Sequence, residues 1–527
     1  MDQLEIVIFG VLVAIAGLAV LARVVGVPYP ILLVLGGLAL GFVPGIPRIE
    51  LSPDLVLLIF LPPLLYGAAF FTSLRDLRAN LRAITLNAVG LVIVTMLAVA
   101  VVGHLVVGLP WPVAFVLGAI VSPTDPVAPA TILRELRAPR RLVTVIEGEN
   151  LTNDWTALVL YRFAVAAVLS GTFSLWEAGG RFLLTGIGGL AVGLAVGFVI
   201  RAVRRRIDDP PTEITISILS GYAAYLPAEG LGLSGVVAAV TVGIYMGWHT
   251  PELTTPIMRI QGVSVWEILT FLVNAVLFLL IGLQMPGVLE DLSGQSAAEL
   301  LGWAAAVCAV VIAVRLAWLF TVTYVIRFLD RRPSQIERRA PWQQRLVVGW
   351  SGMRGAVSLA AALAIPLETG AGAPFPQRDL VIFLTLMVII VTLVGQGLTL
   401  KPLIRLLRIE DDGGAEREET LARVHTAKAA LGRLEEIEQE DWIYDDTVER
   451  VRGMLEYRRR RFAARVHGED GSDAYEQRSS AYQRVRRELL AAERRRLLEL
   501  RNAREISDEV RRKVERDLDF EESRLET

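Results

Sequence analysis

Apolar runs of about 20 residues, the length needed to cross the hydrocarbon core of a bilayer, recur from residue 1 to about residue 408. Short breaks carrying Arg, Pro or Gly separate them, and roughly thirteen runs can be read. The pattern predicts an all-α polytopic membrane protein with about 13 transmembrane helices. The first run, Leu4 to about Val25, begins beside Asp2 and Glu5 with no Lys or Arg. A cleaved signal peptide has a basic start and a small-residue cut site, so this run is read as a spanning helix.

After Leu407 the pattern changes. The acidic stretch IEDDGGAEREE opens a polar tail, residues 409–527, with no further membrane-length apolar run. Apolar residues such as Leu489, Leu490, Leu497, Leu498 and Leu500 keep helical spacing there. Basic clusters, Arg458 to Arg461 and Arg494 to Arg496, are interleaved with acids, which argues for helices packed on each other or on a partner subunit and against a nucleic-acid surface. The expected division is a membrane domain over 1–408 and a helical tail over 409–527, regulatory or dimer-stabilising.

Composition agrees with a membrane domain: 53% of residues are hydrophobic, beyond the usual soluble range, although the net charge is only −2. The charges are unevenly placed. Arg75, Arg78 and Arg82, then Arg134, Arg137, Arg140 and Arg141, then Arg201 and Arg204 to Arg206, then Arg327, Arg331, Arg332, Arg338 and Arg339 fall in loops after odd-numbered runs. The alternate loops, 46–53, 109–112, 171–178 and 285–296, carry almost none. Since Lys and Arg favour cytoplasmic loops, the N-terminus is expected outside and the tail in the cytoplasm.

Several function classes drop out. The single cysteine, Cys308, rules out an intramolecular disulfide or a Cys-based metal cluster. The only lysines are Lys401, Lys428 and Lys513, none in a Gly-Lys-Ser/Thr phosphate loop, so ATP-driven pumping by this chain is not expected and no cofactor is called for. Uphill movement would have to draw on an ion gradient. His104, His249, His425 and His467 lie near run ends or in the tail and suggest no proton relay.

Ionisable side chains at membrane depth cost at least ~2.5 to 3.5 kcal/mol each on insertion scales, so those retained face the bundle interior and serve a function. They cluster in two places. In VSPTDPVAPA, Pro123 and Pro126 bracket Thr124 and Asp125 inside an apolar fifth run. Proline removes an amide donor and opens the helix, freeing carbonyls that can line a polar cavity but cannot face lipid. In VIEGENLTNDWTALVL on the next run, Asn150 and Asp154 share a helical face with Glu147, while Glu149 points roughly 140° from Asp154. The two acids therefore need different partners. Asp154 beside Asn150 offers the oxygen donors that suit a hard monovalent cation.

Charge balance calls for a buried cation as well. GWSGMRGAVSLA supplies Arg354 between Gly352 and Gly355, a glycine-punctuated stretch that predicts a second interrupted helix, and a Glu149–Arg354 pair is the expected outcome. Two interrupted helices in different halves point to an inverted-repeat transporter with its site at the midplane. Arg315, in the eleventh run, is a further buried cation with no partner legible in the sequence, and snorkelling toward the interface is the alternative reading.

At these residues the chain resembles the monovalent cation:proton antiporter family, the bacterial NhaP-type and eukaryotic NHE-type exchangers. The resemblance lies in FLPPLLYGAAF (60–70), SPTDPVA (122–128), EGENLTND (147–154), LSGVVAAVTVGI (233–244), FLVNAVLFLLIGLQ (271–284) and GMRGAVSLA (352–360). It implies a plasma-membrane homodimer, embedded in lipid, that exchanges sodium first, with lithium or potassium as further substrates and a potassium preference as the alternative, for protons by alternating access. It further implies that Asp154 binds cation or proton, that Asp125 and the backbone near Thr124 complete the site, that Asn153 tunes it, and that Glu149 and Arg354 form a structural ion pair. Members with Asn before the key Asp are read as electroneutral. Two departures bear on cation preference: where many relatives read PPLLFE this chain has Tyr66 and Gly67, so a candidate ligand carboxylate is missing, and a Ser often found in the ND motif is Asn150 here.

Two other functions can be weighed against antiport. A channel would carry a filter such as TVGYG or a ring of repeated acids, and neither occurs. A membrane-embedded aspartyl protease also uses two intramembrane carboxylates, but its GxGD signature is absent.

Overall fold

The computed structural model describes residues 3–44, 53–170, 175–329, 341–369, 372–411, 413–440, 442–467, 472–523 and 525. Most of the loop over 46–53, the start of that over 171–178, and Arg331, Arg332, Arg338 and Arg339 lie outside them. Within them the chain is helical, with no strand beyond one isolated antiparallel bridge between Glu368 and Pro374. Contacts divide it into two compact units, Met1–Asp411 and Asp412–Thr527.

The first unit contains α1 (Gln3–Val25), α2 (Tyr29–Gly41), α3 (Pro53–Phe71), α4 (Leu74–Val107), α5 (Trp111–Val121), α6 (Val127–Glu135), α7 (Arg140–Ser170), α8 (Leu175–Arg204), α9 (Pro210–Gly230), α10 (Gly235–Leu253), α11 (Pro256–Asp291), α12 (Ala297–Leu329), α13 (Trp342–Trp350), α14 (Ala356–Leu363) and α15 (Arg378–Leu406). Side-chain caps set several starts: Asp209, Ser234 and Thr255 accept from the amides of Thr212, Val237 and Met258 at the heads of α9, α10 and α11.

By length and composition, five helices among the described residues can cross a membrane: α4, the Gly179–Arg204 part of α8, α11, the Ala297–Val322 part of α12, and α15. Large apolar side chains stand exposed on their outer faces, for example Leu183, Leu184, Ile187 and Phe198 on α8. A water-soluble fold would bury such a band; lipid accepts it. This is a multi-pass membrane protein.

Both expected interruptions are present. Helix α5 stops at Val121 and α6 begins at Val127, leaving Ser122 to Pro126 outside a helix; α13 stops at Trp350 and α14 begins at Ala356, leaving Ser351 to Gly355 outside one. Helix α5 packs between α4 and α7, and α14 packs on α3, α5 and α15, so the two breaks come together inside the bundle. Helices α2 and α11 cross at backbone contact, because a Cβ on Gly37 would lie 2.2 Å from the Leu279 carbonyl oxygen and one on Gly282 would lie 2.2 Å from the Leu38 nitrogen. Three π-helical turns interrupt the ladders of α4, at Leu86–Leu91 and Gly103–Val107, and of α15, at Val391–Gln396.

The second unit holds α16 (Gly414–Ile437), α17 (Asp445–His467), α18 (Ser472–Asn502) and α19 (Asp508–Ser523). Leu434, Val448 and Leu455 form a small core where α16 meets α17, and Arg494 of α18 pairs with Asp519 and Glu522 of α19. Of the leucines spaced along α18, Leu490 and Leu497 are buried, while Leu489 and Leu498 stay exposed.

Candidate functional site

The two breaks are joined through Asp125. Its amide donates to the Met353 carbonyl at 2.7 Å. Its Oδ1 accepts from the Val127 amide at 2.8 Å and its Oδ2 from the Ala356 amide at 3.1 Å. One carboxylate thus satisfies amides at the heads of α6 and α14, where helix dipoles favour negative charge. Gly355 permits this approach, since a Cβ there would fall 1.9 Å from Asp125 Oδ2.

Arg354 serves the opposite polarity. Its Nε donates to the Val121 carbonyl at 3.0 Å, at the negative end of α5, and its Nη1 to the Gly352 carbonyl. Its own amide donates to Thr392 Oγ1 at 3.0 Å, and Thr392 lies in the π-helical turn of α15. The opened helices therefore leave their exposed dipoles facing an acid and a base within hydrogen-bonding distance, which lets irregular backbone persist at membrane depth.

Helix α7 supplies the rest. Asn153 Nδ2 donates to Thr124 Oγ1 at 2.9 Å, tying α7 to the first break. Asn150 Nδ2 reaches Asp154 Oδ2 at 3.4 Å, one helical turn apart. Among the described residues, Asn150 Oδ1, Asn153 Oδ1 and Asp154 Oδ1 are buried and accept no hydrogen bond. Buried oxygens without donors are costly unless something else supplies positive charge. Glu149, on another face, accepts from Arg315 Nη1 at 2.5 Å and from Asn87 Nδ2 at 3.1 Å, and Arg315 Nη2 also donates to the Val348 carbonyl.

A cavity of about 560 Å³ reaches this region. Thr124, Asp125, Asn150 and Asp154 line it, with residues of α3, α11 and α14 forming the other walls. Glu147 and Arg134, paired with each other, line it as well. Asn153 is not part of the lining and stands behind it, holding Thr124.

A family model described as Sodium/hydrogen exchanger, transmembrane, matches residues 10–406. The chain belongs to the sodium/hydrogen exchanger family. An uncharacterized Na(+)/H(+) exchanger of Mycobacterium tuberculosis is 38% identical across 98% of this chain and 96% of its own length. The low-affinity Na(+)/H(+) antiporter NhaS1 of Synechocystis is 34% identical across 81% of this chain and 78% of its own length. The fold matches that of the sodium proton antiporter MjNhaP1 from Methanocaldococcus jannaschii with a TM-score of 0.58 at 20% identity, covering 75% of this chain and all of the other. As a member of this family the chain is a transporter and not an enzyme, and cation:proton exchange is its class of activity.

Set against this exchanger site, one sequence expectation needs correction. Glu149 does not pair with Arg354; its ion-pair partner is Arg315, which is buried and does not snorkel. Helix α12 packs on α4 and α13, and that placement carries Arg315 to Glu149, while Arg354 is occupied by the carbonyls of the breaks. Arg354 remains within electrostatic reach of both Glu149 and Arg315. Arg162, the one charged interruption in the later part of α7, pairs with Glu229 at 2.7 Å. Sequence reasoning missed Asn87 and Thr392. Each is a polar residue in a largely apolar run, and each sits in a π-helical turn that turns it inward, Asn87 to Glu149 and Thr392 to the Arg354 amide.

Proposed function

We propose that this exchanger moves sodium against protons one for one, by alternating access, with Asp154 taking up a cation and a proton in turn. The observation that carries the reading is the difference among three buried acids. Both oxygens of Asp125 accept backbone amides, and Glu149 is held by Arg315 and Asn87, whereas among the described residues Asp154 Oδ1 has no partner and Oδ2 has a long contact to Asn150. Asp154 is thus the acid free to exchange partners. Asn150 Oδ1 and Thr124 offer neutral oxygens on the same cavity wall, a donor set suited to a partly dehydrated sodium ion, with lithium or potassium as further substrates. Asp125 adds negative charge beside them while it holds the breaks together, and Asn153 positions Thr124.

The electroneutral stoichiometry rests on the same acids. Asn153 cannot titrate, and the carboxylate oxygens of Asp125 and Glu149 are occupied by fixed partners, which leaves Asp154 as the one carboxylate of the three open to a proton and a cation in turn. The remaining features belong to the proposal as well: about thirteen spans in inverted repeats, a homodimer in the plasma membrane, the N-terminus outside, and the tail over 409–527 in the cytoplasm as a regulatory or dimer-stabilising element.

Reconstitution into liposomes containing a pH-sensitive dye tests the function. Sodium, lithium and potassium are supplied in turn to vesicles with an imposed pH gradient. Dissipation by sodium that saturates, and that reverses with the gradient, is the expected result. No response to any of the three cations would overturn the reading.

A further inference from the structure

Helix α11 turns Val263, Trp266, Glu267, Thr270, Phe271 and Asn274 toward the cavity, a spacing of three and four residues that forms one stripe along the helix. Glu267 is the one ionisable group on that stripe. Unlike Asp125 and Asp154 it is exposed, and among the described residues its carboxylate has no hydrogen bond or ion pair. The other exposed-side acid of the wall, Glu147, has its charge offset by Arg134.

Helix α3 faces this stripe with Gly67. A Cβ there would lie 3.1 Å from the Trp266 ring and 3.7 Å from Thr270 Oγ1. The indole therefore takes up the space that a longer side chain from α3 would need, and the free carboxylate in this part of the wall comes from α11.

We propose that Glu267 is a cation-attracting residue on the cation's route, which draws a hydrated monovalent cation into the cavity and raises its concentration before it reaches Asp154. The assignment rests on Asp154 being the exchange site. An uncompensated carboxylate on the wall of a low-dielectric cleft focuses the field along the cleft and enriches counter-ions there. Because Glu267 is exposed, it exerts this pull without stripping the ion's water, and the costly dehydration is left to the buried oxygens further in. Its contribution therefore falls on apparent affinity and on sensitivity to ionic strength, and not on the maximal rate.

The test compares the full-length wild type with Glu267→Gln and Glu267→Asp in liposomes, with initial exchange rates followed against sodium concentration at low ionic strength and again with added choline chloride. In Glu267→Gln the KM for sodium is expected to rise about three- to ten-fold, with a maximal rate within about two-fold of the wild type. Glu267→Asp should restore most of the affinity. Added choline chloride should raise the wild-type KM toward that of the Gln variant and leave the variant nearly unchanged, since the Debye length falls to about 10 Å at 0.1 M salt. An unchanged KM in an active Gln variant overturns the assignment alone, as does a lowered maximal rate with an unchanged KM. Absence of exchange by the wild type overturns both the antiport reading and this assignment.

Discussion

Arg315 of α12 and Glu149 of α7 form a salt bridge of 2.5 Å inside the bundle, with each side chain only 2% exposed. Removing one partner leaves an uncompensated buried charge, which costs about 3 to 5 kcal/mol. Arg315→Leu or Glu149→Leu alone should therefore lower folded yield and apparent melting temperature, and the double variant should recover much of the loss. Size-exclusion profiles and thermal melts check this. Normal yield in either single variant, with selective loss of ion binding, would move the pair into the transport site.

The approach of Asp125 to the second break depends on position 355 lacking a Cβ. Gly355→Ala would place a methyl group 1.9 Å from Asp125 Oδ2, so the carboxylate or the break must shift. Exchange activity should be lost together with some stability. Gly302→Ala is the control: nothing lies within 4 Å of its Cβ, and in a helix interior the change should be neutral or stabilising by up to about 1 kcal/mol. Equal behaviour of the two variants would argue against the clamp at Asp125.

The sequence reveals the bundle and its two breaks because each has a local cause. Apolar runs of bilayer length specify helices, and Pro123 with Pro126, or Gly352 with Gly355, specify where a helix opens. The choice of partner for Glu149 has no local cause. Arg315 and Arg354 are both lone arginines in apolar surroundings, and helix packing decides between them. Asn87 and Thr392 were hidden for a related reason: a π-helical turn shifts the face on which later residues fall, so ordinary helical spacing does not lead to their contacts. Gly67 likewise looks like a missing ligand until the Trp266 ring is seen beside it.

One-for-one exchange predicts indifference to voltage. Moving one net charge across the membrane would be worth ~2.3 kcal/mol per 100 mV, enough to change a flux visibly. Initial rates in liposomes should match whether the potential is clamped to zero or imposed by a permeant ion. Net cation movement driven by an imposed potential without a pH gradient would require a second proton site, with Asp125 the first residue to examine.

Competition at one carboxylate also fixes the sign of the pH dependence. A proton on Asp154 excludes the cation, so lowering the pH raises the protonated fraction and should raise the apparent KM for sodium, while saturating sodium restores the rate. Sodium titrations of the exchange rate at a series of pH values measure this directly. A KM that stays flat from acid to neutral pH would contradict competition.

The central claim is that Asp154 carries both ions, and Asp154→Asn tests it most directly because the amide keeps the side chain's shape while removing the proton-binding group. The variant is purified, shown by size exclusion and thermal melting to be folded, and reconstituted into liposomes with a pH-sensitive dye beside the wild type. Sodium-driven proton movement in the wild type with none in the variant is the predicted result. Proton movement by the folded variant at a rate comparable to the wild type would show that another group carries the proton, and the account would fail.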